Sequence, residues 1–260
     1  MFENILLALV QGLTEFLPVS SSGHLILIPE FFGWDDPGLD FSAFLHFGTL
    51  LAVVVYFWKD WMVMFGSLFA KEKTEKTSRA KNTLFMLVIA TIPGALIGFF
   101  YKDILDVLFR NPSLVALLIL IGSLVLWLAD VHASQKEVYQ EVTYRKAFFI
   151  GMTQIASLLP GVSRSGITIA TGLFLGMSRH ESARFSFLMA TPIIFGASIL
   201  SFGDVVQSQF SLSIIFTFLL TFLSAYAVIA LMLRWIEQVK YQVFVWYGIF
   251  LAGMVFFFLE

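Results

Sequence analysis

The chain has 260 residues, of which 58% are hydrophobic and 13% are charged, whereas soluble domains carry roughly 25% charged residues. This composition predicts an integral membrane protein. The net charge of -2 gives no basis for nucleic-acid binding, and the absence of cysteine excludes disulfides, thiolate metal sites and cysteine nucleophiles.

The first element in chain order is an apolar helix over residues 2–17, which breaks at a polar turn from Pro18 to Gly23. A helical segment of about ten residues follows over 24–33, and it spans ~15 Å at 1.5 Å per residue. A bilayer crossing needs ~20 residues, so this second arm is too short to cross. The pattern is typical of a re-entrant hairpin, which enters and leaves the membrane on one face.

Six apolar stretches are long enough to cross a bilayer. They cover approximately residues 41–58, 84–101, 112–130, 184–203, 211–233 and 242–259. Before the fourth of them, an apolar helix over 147–159 breaks from Pro160 to Gly166 and resumes over 167–177, which predicts a second hairpin. We therefore expect one all-α integral membrane domain over 1–260, with six transmembrane helices and two re-entrant helix hairpins.

The basic residues are distributed unevenly over the two sides of this layout. One side holds the loops 59–83, 131–146, 178–184 and 234–241. Their basic residues are Lys59, Lys71, Lys73, Lys76, Arg79, Lys81, Lys136, Arg145, Lys146, Arg179, Arg184, Arg234 and Lys240. The other side has Lys102 and Arg110. Because loops rich in Lys and Arg stay in the cytoplasm, we expect both termini and the opening of the first hairpin on the outer face.

The two hairpins also match each other at an offset of 143 residues. This offset aligns Gln11 with Gln154, Val19 with Val162, Ser20 with Ser163, Ser22 with Ser165 and Gly23 with Gly166. Three crossings follow each hairpin, and because three is odd, the second half is inverted relative to the first. We expect an inverted-topology repeat, approximately 1–130 and 145–260, with both hairpin tips near the membrane midplane, where such folds bind ligands.

Arg164 is the one basic residue that this layout places inside the membrane. A guanidinium there is costly, so it needs an anionic partner or ligand, and its fork of donors suits a phosphate or a carboxylate. The polar side chains expected around it are Gln11, Thr14, Glu15, Ser20, Ser21, Ser22, His24, Gln154, Ser163 and Ser165. Each tip also starts a helix, whose free N–H groups and serine caps can hold an anion.

These residue types suit phosphoryl transfer. Arg164 would bind the non-bridging oxygens, and a serine hydroxyl would attack phosphorus once a base removes its proton. Either Glu15 or His24 can be that base, and the other can protonate the leaving group. Structural roles remain alternatives: an ion pair between Glu15 and Arg164, and capping of the turn by His24 and the serines. His46, inside the first crossing, is assigned to helix packing.

The tips resemble the motifs of the undecaprenyl-diphosphate phosphatase family of the bacitracin-resistance type. The matching segments are Gln11 to His24, Pro160 to Gly166 and Arg184 to Leu188. The resemblance implies an enzyme of the bacterial inner membrane that hydrolyses a C55 polyprenyl diphosphate to the monophosphate and so recycles the lipid carrier of cell-wall synthesis. It also implies the re-entrant, inverted-repeat fold.

By position, the resemblance gives Glu15 as the second acid of a (Glu/Gln)-x-x-x-Glu motif. It also gives Ser21 as nucleophile, His24 as an essential assisting residue and Arg164 as phosphate binder, while attack by His24 or by water stays an alternative. A divalent cation, Mg²⁺ or Ca²⁺, is implied too, with Glu15 as the candidate ligand. Gln11 takes the glutamine option of the motif, and its neutral oxygen is a weaker ligand for a hard cation.

The alternative function is a transporter or flippase of an anionic polyprenyl lipid, because inverted repeats suit alternating access. The tip from Ser20 to His24 discriminates the two, since a carrier needs phosphate binding but no nucleophile beside a base. The expected partners are a long-chain polyprenyl diphosphate, the bilayer, bacitracin indirectly through the shared substrate, and a second copy of the chain in a homodimer.

Overall fold

The computed structural model describes residues 1–35, 38–72, 74–108, 110–134, 141–208 and 212–259. All regular elements in these ranges are helical, as predicted. They are α1 (Phe2–Thr14), α2 (Ser21–Phe32), α3 (Gly38–Tyr56), α4 (Trp58–Phe69), α5 (Glu75–Leu108), α6 (Pro112–Ser134), α7 (Tyr144–Gln154), a 3₁₀ helix (Ile155–Leu158), α8 (Arg164–Phe174), α9 (Arg179–Ser208), α10 (Leu212–Val239) and α11 (Gln242–Phe258). Lys73 and Lys136, and the side chain of Lys102, lie outside the described residues.

Several described helices have the length and apolar character of membrane spans. Three qualify individually: Glu75–Tyr101, Pro112–Ala133 and Ile214–Val239. A fourth span results if the adjoining α3 and α4, which bend by 70° between Tyr56 and Trp58, are one broken span. Helices α1 and α11 are apolar but shorter, and the side chains 197–208 of α9 lie outside the described residues. These helices identify a multi-pass membrane protein.

Several boundaries differ from the sequence prediction because helices continue beyond the apolar stretches. Residues 58–69 form α4 although they were assigned largely to a loop, and α5 begins at Glu75 rather than near residue 84. Likewise, α9 begins at Arg179, and α10 continues to Val239. Hydropathy marks only the apolar part of a helix, whereas Lys, Glu and Arg outside it are good helix formers.

Both predicted hairpins form a helix, a break and a short helix, but the breaks begin earlier than expected. Helix α1 ends at Thr14 rather than at residue 17, and α7 ends at Gln154 before the 3₁₀ turn. The second arms begin at Ser21 and Arg164 and have 12 and 11 residues, which is too short to cross a bilayer. The serine-rich tips therefore lie largely in the first turns of α2 and α8.

Glycines allow the first helix of each hairpin to approach a long helix closely. A Cβ at Gly12 of α1 would lie 2.7 Å from the carbonyl oxygen of Thr221 in α10. A Cβ at Gly151 of α7 would lie 2.4 Å from the carbonyl oxygen of Ala90 in α5. Only a residue without a side chain fits at these two crossings, and the crossings position the breaks that follow both helices.

Candidate active site

An ion pair between the two hairpins forms the centre of the site. Arg164 Nη2 donates to Glu15 Oε1 at 2.9 Å, and the two side chains are 11% and 6% exposed. Glu15 lies in the break after α1, whereas Arg164 is the first residue of α8. The predicted anionic partner of Arg164 is therefore confirmed, and it comes from the other half of the chain.

The guanidinium of Arg164 is fixed by two further contacts. Its Nη1 donates to the carbonyl oxygen of Ser186 in α9 at 3.2 Å, and its Cζ atom lies 5.8 Å from the ring centre of Phe16. Among the described residues these hydrogen bonds use two of the five N–H donors of an arginine. The remaining donors can bind the oxygens of a phosphate.

The carboxylate of Glu15 is also the partner of a serine hydroxyl. Ser21 Oγ donates to Glu15 Oε2 at 2.6 Å, and Gln11 Nε2 donates to the same oxygen at 2.9 Å. Ser21 is the first residue of α2. A hydroxyl already donating to a carboxylate can transfer its proton there as it attacks, so the geometry favours Glu15 as the base.

His46 contacts the same carboxylate, although the sequence assigned it to helix packing alone. Its Nε2 lies 3.4 Å from Glu15 Oε2, its Nδ1 lies 2.7 Å from the carbonyl oxygen of Ser42, and its side chain is 27% exposed. The assignment was therefore incomplete. An ionisable residue inside an apolar crossing was the available signal, because such residues tend to be functional.

His24 has both ring nitrogens engaged away from Ser21. Its Nδ1 lies 2.7 Å from the carbonyl oxygen of Ser20, and its Nε2 lies 2.6 Å from the hydroxyl of Tyr247 in α11. This arrangement favours the predicted capping of the turn over the predicted role as base for Ser21. Tyr247 was not predicted as a site residue, because in the sequence it is one of several aromatic residues in an apolar stretch.

Serine caps start both short helices, as predicted. Ser20 Oγ accepts from the Gly23 N–H at 3.2 Å, and Ser163 Oγ accepts from the Gly166 N–H at 3.0 Å. These residues match at the offset of 143, so the two halves repeat a hydrogen bond as well as a sequence. The neighbouring hydroxyls are also paired, Ser20 with Ser22 at 3.3 Å and Ser163 with Ser165 at 3.0 Å.

Three of the predicted ligands have mainly structural contacts. Thr14 Oγ1 donates to the carbonyl oxygen of Val10, and Ser165 Oγ donates to that of Leu17 at 2.8 Å, which joins the two tips. Gln154 is buried against Gly94 of α5, where an added Cβ would lie 2.8 Å from its Nε2. The described residues provide no hydrogen-bond partner for either amide atom of Gln154, so it is not joined to the ion pair.

Comparison with known proteins places these motifs in a family. The family model described as "Bacitracin resistance protein BacA" matches residues 4–254. The chain belongs to the BacA family. Similar proteins named undecaprenyl-diphosphatase occur in Desulforudis audaxviator (40% identical over 252 residues, 96% of this chain and 95% of the relative) and Gemmatimonas aurantiaca (40% over 258 residues, 98% and 96%). Another, from Moorella thermoacetica, is 39% identical over 253 residues, 97% of this chain and 95% of the relative.

The donor set of this BacA protein does not suit a metal held by protein ligands alone. The described residues contain no group of three or more His, Cys, Asp or Glu side chains that could hold an ion. Both oxygens of Glu15 already accept hydrogen bonds. Gln11 Oε1, however, is buried without a hydrogen-bond partner among the described residues, and it is the type of oxygen that Mg²⁺ and Ca²⁺ bind. This set fits a cation that the oxygens of a bound diphosphate hold for the most part.

Proposed function

We propose that this BacA protein is an undecaprenyl-diphosphatase, which hydrolyses undecaprenyl diphosphate to undecaprenyl phosphate and inorganic phosphate. The observation that carries the proposal is the hydrogen bond from Ser21 to Glu15 beside the guanidinium of Arg164. Relatives about 40% identical over nearly their whole length carry the name of this enzyme. The reaction returns the lipid carrier to cell-wall synthesis. Bacitracin would affect the enzyme indirectly, by binding the same substrate.

In the first step, Ser21 Oγ attacks the terminal phosphorus, and its proton passes to Glu15 Oε2. The Oγ–P bond forms as the bond from phosphorus to the bridging oxygen breaks, and the electron pair stays on that oxygen. Undecaprenyl phosphate then leaves with the proton from Glu15. Arg164 binds the non-bridging oxygens, over which charge is spread in the transition state, and the free N–H groups at the helix starts also donate to these oxygens.

In the second step, water attacks the phosphoserine and gives its proton to Glu15. The bond between phosphorus and Ser21 Oγ breaks, and the hydroxyl takes the proton back from Glu15 as inorganic phosphate leaves. One carboxylate therefore serves as base and acid in turn. His24 is not needed for either proton transfer.

A divalent cation is the proposed cofactor, and it would enter with the diphosphate. Gln11 Oε1 and Glu15 are the protein oxygens that would face it. When bound, Mg²⁺ or Ca²⁺ would neutralise part of the charge of the diphosphate. Chelation is expected to weaken substrate binding without unfolding the protein, because the ion pair of Glu15 and Arg164 forms between protein residues alone.

For the membrane arrangement, we propose six crossings and two re-entrant hairpins in an inverted repeat, within one domain of the bacterial inner membrane. The short lengths of α2 and α8 and their matching serine caps support the hairpins and the repeat. The excess of basic residues in the loops predicted on one side supports an active site that opens to the outer face. The apolar tail of the substrate would then lie between helices in the membrane.

Phosphate release by the purified protein from undecaprenyl diphosphate in detergent tests this function. Wild-type protein should release inorganic phosphate, and Ser21→Ala should lose about 10³-fold or more in kcat while remaining folded. The matched control is Ser67→Ala in α4, where the hydroxyl donates to the Met64 carbonyl oxygen and should be dispensable for activity.

The same measurements separate the alternatives. Full activity in folded Ser21→Ala would replace the serine nucleophile with direct attack by water. Transport of the diphosphate lipid across liposomes without phosphate release would instead establish the carrier. The bond from Ser21 to Glu15 favours the enzyme, because phosphate binding alone does not require it.

A further inference from the structure

The backbone of Ser20 has an unusual conformation directly before the proposed nucleophile. Its φ is 68° and its ψ is 94°, in a region that residues with a side chain rarely adopt. The equivalent residue of the second tip, Ser163, has φ -65° and ψ 121°, which is ordinary extended backbone. Both serines cap a helix in the same way, so capping does not require the unusual conformation of Ser20.

The two tips differ in one hydrogen bond at this residue. The backbone N–H of residue i+4 donates to the serine carbonyl in both, from His24 to Ser20 at 3.2 Å and from Ile167 to Ser163 at 2.9 Å. Among the described residues, a side chain adds a bond to that carbonyl at the first tip alone, from His24 Nδ1 at 2.7 Å. The side chain of Ile167, at the equivalent position, has no hydrogen-bond donor. The imidazole is therefore present at the tip whose backbone is strained.

The partners of the imidazole define its tautomer. A carbonyl oxygen only accepts hydrogen bonds, so the proton lies on Nδ1. The ring is 4% exposed, and its hydrogen-bond partners in the described structure are a carbonyl and a phenol, so a charged imidazolium would be buried without a counter-charge. In the neutral ring, Nε2 accepts from the Tyr247 hydroxyl at 2.6 Å, and the two rings lie 3° from parallel.

The bonded carbonyl belongs to the peptide group that joins Ser20 to Ser21. Because this group is planar, holding its oxygen also fixes the direction of the Ser21 N–H and the start of α2. We propose that His24 and Tyr247 are positioning residues, which brace this peptide so that Ser21 stays aligned with Glu15 and the phosphate. His24 then exchanges no proton with the substrate. This inference rests on the proposed function and concerns the same site.

Two amide substitutions of His24 distinguish a brace from a proton-transfer group. In His24→Asn the amide nitrogen takes the place of Nδ1 and can still donate to the Ser20 carbonyl. We expect its kcat to remain within about tenfold of wild type, since it loses one neutral hydrogen bond, that to Tyr247. In His24→Gln the amide reaches the position of Nε2 instead, and displacement of the unsupported turn should lower kcat about 10²-fold.

Removal of the Tyr247 hydroxyl tests whether Tyr247 helps to position His24. Tyr247→Phe keeps the ring and loses the hydroxyl, so kcat should fall about three- to tenfold with KM unchanged. Tyr226→Phe is the matched control, because Tyr226 is similarly exposed (40% against 42%) but lies in α10. In ¹⁵N NMR spectra, wild-type His24 should carry its proton on Nδ1, and Tyr247→Phe should shift part of the population to the other tautomer.

Equal losses of about 10²-fold or more in His24→Asn and His24→Gln, both folded, would overturn the proposal, because a proton-transfer role predicts that pattern. Wild-type activity in Tyr247→Phe, or a wild-type spectrum with the proton on Nε2, would overturn it too. If neither His24 variant folds, the ¹⁵N NMR spectrum of the wild-type protein tests the proposal, because it shows which nitrogen of His24 carries the proton. The NMR measurement requires no turnover, so it can contradict the positioning role of His24 and Tyr247 whether or not the wild-type protein has phosphatase activity.

Discussion

The proposed role of Arg164 depends on the planar geometry of its guanidinium. Its planar guanidinium contacts Glu15 and the Ser186 carbonyl at the same time and lies near the ring of Phe16. A lysine ammonium is a compact point charge, and it cannot reproduce a fork that also has donors for a phosphate. The residue must therefore be arginine, and positive charge alone is not sufficient.

We accordingly expect Arg164→Lys to retain the fold and lose about 10²- to 10³-fold in kcat, as when a transition-state donor is removed. Steady-state phosphate release measures the loss, and thermal unfolding in detergent checks the fold. The same exchange at exposed Arg234 is the control and should be neutral. Near-normal turnover by Arg164→Lys would mean that the guanidinium supplies only charge.

The sequence predicted an anionic partner or ligand for Arg164, because a charged residue in a predicted membrane segment requires one, and it gave an ion pair with Glu15 as an alternative, structural role. The residues themselves predicted a serine hydroxyl with Glu15 or His24 as its base, and the resemblance to the family gave Ser21 as that serine. It could not predict that Tyr247 holds His24, since the contact joins residues 223 positions apart and depends on how α11 packs. Nor could it place Gln154 against Gly94, because an aligned repeat does not guarantee that equivalent side chains face the same neighbour.

At the scale of elements, close helix crossings position the two breaks. We expect Gly151→Ala to lower the stability by about 1–3 kcal/mol or more, because the new methyl group would overlap the Ala90 carbonyl oxygen. Gly122→Ala in α6 is the matched control, since a Cβ there meets nothing within 4 Å, and it should be neutral or stabilising by up to about 1 kcal/mol.

Thermal unfolding of both glycine variants in the same detergent makes the comparison. If Gly151→Ala unfolded at the temperature of the wild type, the close crossing of α7 and α5 would be wrong. Activity should decrease along with stability in this variant, because α7 leads directly into the break before Arg164.

The helix, break and short helix of each predicted hairpin were the features that the sequence predicted best, because the serine caps and the short second arms have local signals. The 70° bend between α3 and α4 had no such signal. Neither proline nor glycine occurs at Tyr56, Phe57 or Trp58, so the usual local causes of a kink are missing there. Packing of Phe57 in the core accompanies this bend, and only the folded structure reveals that.

In the whole molecule, not every basic residue counted in the predicted loops is a solvated charge. Arg179 is buried, and its Nε donates to Asp130 of α6 at 2.6 Å. The Tyr241 N–H donates to the same carboxylate, and its hydroxyl donates to the Arg179 carbonyl oxygen at 3.2 Å. Burial raises the pKa of Tyr241 well above its usual value, so the phenol stays neutral. This network joins α6, α9 and the turn before α11.

The proposed orientation can be tested directly because the chain contains no cysteine. A membrane-impermeant maleimide should label Asp35→Cys in intact cells, since residue 35 is expected on the outer face. Glu72→Cys should react only after the membrane is opened. Both positions are exposed, so each serves as the control for the other. The reverse labelling pattern would place the active site on the cytoplasmic face.

The proposed active site requires the two hairpin tips to meet, and cross-linking of a double cysteine variant measures that contact. A Cβ at residue 166 would lie 3.6 Å from the Cβ of Pro18, within the range of about 3.5–4.5 Å that disulfides span. Mild oxidation of Pro18→Cys/Gly166→Cys should therefore join the peptides of the two tips, as detected by mass spectrometry, whereas either single variant should keep a free thiol. Two thiols that remain free after oxidation of the folded double variant would contradict the shared site.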